Sequence, residues 1–192
     1  MNMIVALNLA VIWIILSCNL VVVFAIIRQQ KGGKIDQLRP NEPAPDFEAT
    51  ALDGETMTLS TFRGRSLALL FIGTQCIHCR TGIPRYNELY PKALRLGVTL
   101  VLVSADGVEE TKAFVSEMNT SLPVLVADRT SNSFLKDYKV IGTPSYCLID
   151  ERGRIQATGH PSEENPAWRK LVATWESKPE TTGALQLKEG LS

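Results

Sequence analysis

Hydrophobic and polar residues divide this chain into stretches of different character. From Ile4 to Ile27 no residue is charged, and only Asn8, Ser17 and Asn19 are clearly polar. At about 1.5 Å of helical rise per residue, such a run crosses a hydrocarbon layer about 30 Å thick. A cleaved secretory leader has an apolar run of about 7–15 residues and then a small-residue cleavage site. Here the longer run passes directly into Arg28-Gln-Gln-Lys31. The pattern predicts an uncleaved transmembrane anchor at residues 4–27. Residues 28–42 are polar, with Gly32-Gly33 and Pro40, and read as a linker. Residues 43–178 pattern as a folded domain. Residues 179–192 carry few large apolar side chains and read as a flexible tail.

Within the domain, short apolar runs alternate with amphipathic ones. Phe47 to Leu59 holds Asp53-Gly54 between two strand-like pieces, a hairpin signal. Leu67–Gly73 is apolar throughout and predicts a strand buried on both faces. Further strands are expected at Val98–Ser104, Val124–Ala127, Ser145–Asp150 and Ile155–Thr158. Tyr86, Leu89, Tyr90 and Ala93 have helical spacing in a segment that starts near Thr81. Pro84 predicts a kink there, and Pro91 a kink or break. Thr111, Phe114, Val115 and Met118 form a second stripe, and Phe134, Leu135 and Tyr138 a short third helix. Asn165-Pro166 offers a cap and a first helical residue before Trp168, Leu171, Val172 and Trp175. This order gives a mixed α/β sheet with helices on its faces.

Composition narrows the function classes. The 192 residues carry 20 Lys+Arg and 20 Asp+Glu, so no net charge or basic patch points to nucleic acid. Chemistry enters at Cys76 and Cys79, in Gln75-Cys-Ile-His-Cys79. This C-x-x-C sits where an apolar strand runs into a helix. Orphan N–H groups and the helix dipole favour an anion there, and a thiol so placed titrates at about 3.5–7.5 instead of about 8.5. The thiolate attacks disulfides, and the second thiol resolves the mixed disulfide. A zinc site is the rival reading, but structural zinc wants four ligands. The chain has only Cys18, Cys76, Cys79, Cys147, His78 and His160, and no second paired motif, so no metal is expected. Cys18 reads as apolar filler, Cys147 as buried filler with a third redox thiol as the alternative, and His160 receives no role.

The motifs taken together resemble the thioredoxin fold, and more closely the membrane-anchored redoxins of the TlpA/ResA type, including the methylamine-utilisation protein MauD. The resemblance covers about Pro43 to Pro161. It rests on Pro43-Ala-Pro-Asp-Phe47, Asp53-Gly54, Leu59-Ser60 with Arg63-Gly64, Cys76-Ile-His-Cys79, Pro84, Gly142-Thr-Pro144 and Leu148-Ile-Asp150 with Gly153. It implies a thioredoxin fold with an N-terminal hairpin, preceded by one transmembrane helix. It implies a thiol–disulfide oxidoreductase whose only redox group is the Cys76–Cys79 pair, with no further cofactor. Pro144 corresponds to a cis-proline facing the dithiol, with the Thr143 backbone open to an extended substrate. Gln75, Ile77 and His78 are the remaining tuning or substrate-binding candidates. Protein disulfides or dithiols are the implied substrates, with a membrane redox partner.

Three departures qualify this picture. Gln75 stands where such enzymes often carry Trp. Leu70 stands where thioredoxins carry a buried acid, so no proton acceptor for Cys79 is identified. Ile77-His78 replaces the Gly-Pro of thioredoxin, and a His before the second Cys resembles the oxidising DsbA pattern. Reduction, as in cytochrome-c maturation, and oxidative disulfide assembly both remain open. Two other classes stand beside them. A peroxiredoxin-like peroxidase would show P-x-x-x-T-x-x-C, whereas Thr74 lies two residues before Cys76 and residue 70 is Leu. A non-enzymatic interaction or metal-chaperone protein would need no reversible dithiol couple. The resemblance puts the domain outside the cytoplasm, where disulfides persist. Arg28, Lys31, Lys34 and Arg39 after the span argue for the opposite side.

Overall fold

The computed structural model describes residues 2–32 and 38–177. The tail at 179–192, Lys178 and linker residues 33–37 lie outside the described residues. The chain forms two compact units, divided after Gln37. The first is a helix, α1 (Met3–Gly32), whose stretch Leu7–Ile26 is long and apolar enough to cross a membrane. The helix runs past the expected end at Ile27, and Arg28 folds its guanidinium over the Phe24 ring at 5.7 Å.

The second unit is built on a seven-stranded sheet in the order β2-β1-β5-β4-β3-β6-β7. Its strands are β1 (Glu48–Ala51), β2 (Thr56–Thr58), β3 (Ser66–Ile72), β4 (Val98–Ser104), β5 (Val124–Val126), β6 (Ser145–Ile149) and β7 (Ile155–Gly159). β3, β4 and β5 run parallel, while β1, β2, β6 and β7 join antiparallel. The hairpin β1–β2 turns at Gly54, whose φ of +93° suits glycine. β3 is buried on both faces because Leu67, Leu69 and Phe71 enter one core while Ala68, Leu70 and Ile72 enter the other. Phe47, Phe134 and Tyr138 fill the first core around Phe71. The second packs α2 (Ile77–Arg95), α3 (Val108–Met118) and α5 (Pro166–Glu176) against the sheet, with Trp168 tilted on Tyr146 at 5.0 Å.

One helix expectation needs correction. α2 starts at Ile77, not near Thr81, so Cys76 caps it and Cys79 lies in its first turn. Of the two outcomes expected at Pro91, a break does not occur: α2 continues through Pro84 and Pro91 to Arg95. An interior proline costs about 3 kcal/mol or more through a lost N–H and a clash. Here Ile83, Tyr86, Leu89 and Ala93 are buried on one face, and their packing keeps the helix intact across both prolines. α4 (Phe134–Asp137) is one short turn, and α5 begins as its sequence predicts: the Asn165 side chain accepts from Ala167 N at 3.0 Å, with Pro166 following.

Candidate active site

Parallel strands deliver the site. β3 and β4 stay in register from Ser66↔Val98 to Ile72↔Ser104, so their carboxyl ends finish at one level. β6 runs against β3, with Phe71 opposite Ser145, which brings the 142–144 loop to the same end. Beyond Ile72 the chain turns through Gly73 to Cys76, closed by Cys76 N donating to Gly73 O at 3.1 Å. Cys76 is the N-cap of α2: its sulfur accepts from Cys79 N at 3.2 Å. The same thiol can donate to Thr143 O at 3.4 Å. Both cysteines are free thiols; Cys76 is half-buried and Cys79 fully buried.

Their environments push the two thiols apart. Burial alone works against a Cys76 thiolate. Hydrogen bonds from the Cys79 thiol and N–H, the Thr143 hydroxyl and the His78 N–H outweigh it and hold Cys76 below its ordinary value. Burial, and then the hydrogen bond to Cys76, push Cys79 up to about 12. Ionisation is thus favoured at Cys76 and opposed at Cys79.

The Thr143–Pro144 peptide bond is cis. The Pro144 carbonyl meets the His160 Nδ1 at 2.6 Å, and His160 O accepts from Asn165 Nδ2 at 2.9 Å. With Nδ1 as the donor, His160 ties the proline loop to the start of α5. Gln75, Ile77 and His78 are exposed on the rim, with 64% of Ile77 accessible. A cleft of about 230 Å³ beside Pro144 is lined by His78, Gly82, Tyr86, His160 and Trp168. Gly82 makes room there, because a Cβ would stand 2.9 Å from Tyr86 Oη. A larger concavity of about 400 Å³ lies at the opposite end of the sheet, among Ser60, Arg63, Arg65 and Arg152. It is remote from the thiols, whereas the smaller cleft borders His78 and Pro144.

The fold therefore gathers all seven sequence candidates, Gln75 to Cys79 with Thr143 and Pro144, at one end of the sheet. Leu70 is buried in the core on the Cys79 side, so that position supplies no acid. Cys147 lies on the other face of the sheet, buried, with its thiol pushed up to about 12 by burial. Among the described residues no group of three or more His, Cys, Asp or Glu converges as a metal cage would. Spacing missed His160, and also Asp106 and Arg80, which bond the Thr74 backbone N and O two residues before Cys76. Asp106 had one available signal: it closely follows a parallel strand, where α/β sheets build their sites.

A polarised thiol pair on a helix start, faced by a cis-proline loop, defines a dithiol oxidoreductase of thioredoxin fold. The chain belongs to the AhpC/TSA family, whose model matches residues 40–158. It is 34% identical over 123 residues to the thiol-disulfide oxidoreductase ResA of Bacillus thuringiensis subsp. konkukian, covering 64% of this chain and 70% of that one. The ResA of Geobacillus kaustophilus is 33% identical over 125 residues, covering 64% and 71%. Among solved structures, a putative protein disulfide isomerase from Bacteroides thetaiotaomicron superposes with TM-score 0.63 at 26% identity, covering 72% and 89%. A putative thiol:disulfide interchange protein DsbE from Chlorobium tepidum matches the fold with TM-score 0.63 at 24% identity, covering 72% and 99%. With this site and these relatives, the chain is a thiol–disulfide oxidoreductase.

Proposed function

We propose that this protein is a membrane-tethered oxidoreductase that exchanges disulfides with extracytoplasmic proteins through Cys76 and Cys79. The observation that carries the reading is the asymmetry of the pair: an accessible, anion-favouring Cys76 on the α2 N-cap and a buried, protonated Cys79 behind it. In the reducing direction the Cys76 thiolate attacks one sulfur of a substrate disulfide. That S–S bond breaks, and the departing substrate thiolate takes up a proton. Cys79 then gives up its proton and attacks the Cys76 sulfur, releasing the second substrate thiol. The substrate gains two electrons and the enzyme is left as a Cys76–Cys79 disulfide. The reverse sequence oxidises a dithiol. A membrane redox partner resets the pair in either direction.

Thr143 and Pro144 hold the substrate segment beside Cys76, since an extended chain can pair with an exposed backbone edge. Ile77, Gln75 and His78 border its path. No cofactor beyond the cysteine pair enters this chemistry.

The test is a pair of single-cysteine variants. Cys76→Ser is expected to abolish turnover of insulin or a model disulfide; retained turnover would overturn the assignment. Cys79→Ser is expected to trap a mixed disulfide that dithiothreitol releases. A peroxidase would instead consume peroxide in a thiol-dependent assay, and no such consumption is expected.

A further inference from the structure

We propose that Asp106 and Arg80 are positioning residues that grip the Thr74 peptide from both sides and so set where the Cys76 sulfur stands against Cys79 and Thr143. The inference rests on Cys76 as the attacking thiol. Thr74 is 3% exposed and lies just beyond the end of β3, where its backbone has left the sheet ladder. A buried N–H and C=O there need partners. Asp106 Oδ2 accepts from Thr74 N at 2.6 Å, a short charge-assisted bond. Arg80 Nη1 donates to Thr74 O at 3.1 Å.

Each arm is itself held, and both lead to α3. Asp106 N donates to Ser104 Oγ at 3.3 Å, and the fully buried Ser104 hydroxyl meets Thr111 Oγ1 at 2.7 Å. Arg80 pairs with Glu117 and lies over the Phe114 ring at 5.7 Å. Only Gln75 separates the gripped peptide from Cys76, and the 73–76 turn closes on itself through Cys76 N and Gly73 O. A shift of the Thr74 peptide therefore displaces the sulfur from the Cys79 N–H and from Thr143. Helix α3, outside the dithiol motif, becomes part of the site through these two arms.

Positioning and charge make opposite forecasts for Asp106. Its carboxylate lies 3.9 Å from the point a Gly73 Cβ would occupy, beside Cys76. As a bare charge it opposes the thiolate, so removing it would help Cys76 ionise. As a grip it supports the thiolate, so removing it would hinder ionisation.

The experiment is pH-dependent iodoacetamide alkylation of the reduced full-length protein, followed at the Cys76 peptide by mass spectrometry. Asp106→Leu and Arg80→Met are each expected to raise the midpoint of the alkylation–pH curve by about half a pKa unit or more, which slows alkylation about threefold at pH values below the parent midpoint. Asp106→Asn, which keeps an acceptor for Thr74 N, is expected to react as fast as the parent or faster. An unchanged or faster Asp106→Leu, or an Asp106→Asn as slow as Asp106→Leu, overturns the proposal. Should Asp106→Leu not fold, Arg80→Met decides from the accessible side, its parent side chain being 27% exposed; an unmoved titration there overturns the grip. Turnover retained in Cys76→Ser would instead overturn the nucleophile assignment alone.

Discussion

At Cys76 the anion is favoured by groups within four residues and one loop: the Cys79 N–H and thiol, the His78 N–H and the Thr143 hydroxyl. The contribution of His78 comes through its backbone, which any non-proline substitution keeps. His78→Leu therefore isolates the ring. It is expected to shift the potential to more negative values by less than about 30 mV, equivalent to about 1.4 kcal/mol for two electrons; equilibration against a glutathione buffer reads the shift. The thiols also link folding to pH. Cys76 is depressed in the fold, so its share of stability is present above the ordinary thiol value and fades as pH falls through the folded value. Cys79 is raised to about 12, so its share is intact below the ordinary value of 9.0 and is lost as pH rises toward 12. Reduced protein should accordingly lose more stability above about pH 9 than oxidised protein, by urea midpoints at matched pH. Cys76 and Cys79 were legible from spacing alone. The supporting residues were not, because Asp106 and His160 reach the site only through strand register.

The elements place these residues, and α5 illustrates how. Its N-cap Asn165 accepts from Ala167 N and donates to His160 O, so one side chain starts the helix and steadies the residue bonded to the proline loop. Asn165→Ala is expected to cost about 0.5–2 kcal/mol of stability, as lost caps do, and Asn165→Ser to recover most of it. Urea unfolding measures both. An Ala variant as stable as the parent would mean that the cap carries no weight here. The start of this helix was readable because Asn-Pro is a local signal. The start and continuity of α2 were not, since burial of Tyr86, Leu89 and Ala93 against the sheet overrides two prolines. Local propensity speaks for an element only where tertiary packing does not contradict it.

For the whole molecule, the sequence pattern fixed the order of elements but left the side of the membrane to competing forces. Helix α1 has the length and apolar character to cross a bilayer. On that reading, residues 4–27 are expected to hold the full chain in membranes through carbonate washing, and a protein starting near Pro40 to be soluble and active. Sidedness pits local charge against chemistry. Arg28, Lys31, Lys34 and Arg39 follow the span and none precedes it, which favours retaining that flank in the cytoplasm. The dithiol needs disulfides as partners, and these persist mainly outside the reducing cytosol. Long following domains can translocate against nearby charge, which weakens the first force but leaves the second intact. A C-terminal alkaline phosphatase fusion is therefore expected to be active, and a C-terminal GFP fusion dark. A fluorescent GFP fusion with a silent phosphatase would reverse the placement. The enzyme would then draw on the cytosolic thiol pool as a tethered reductase, with the roles of Cys76 and Cys79 unchanged.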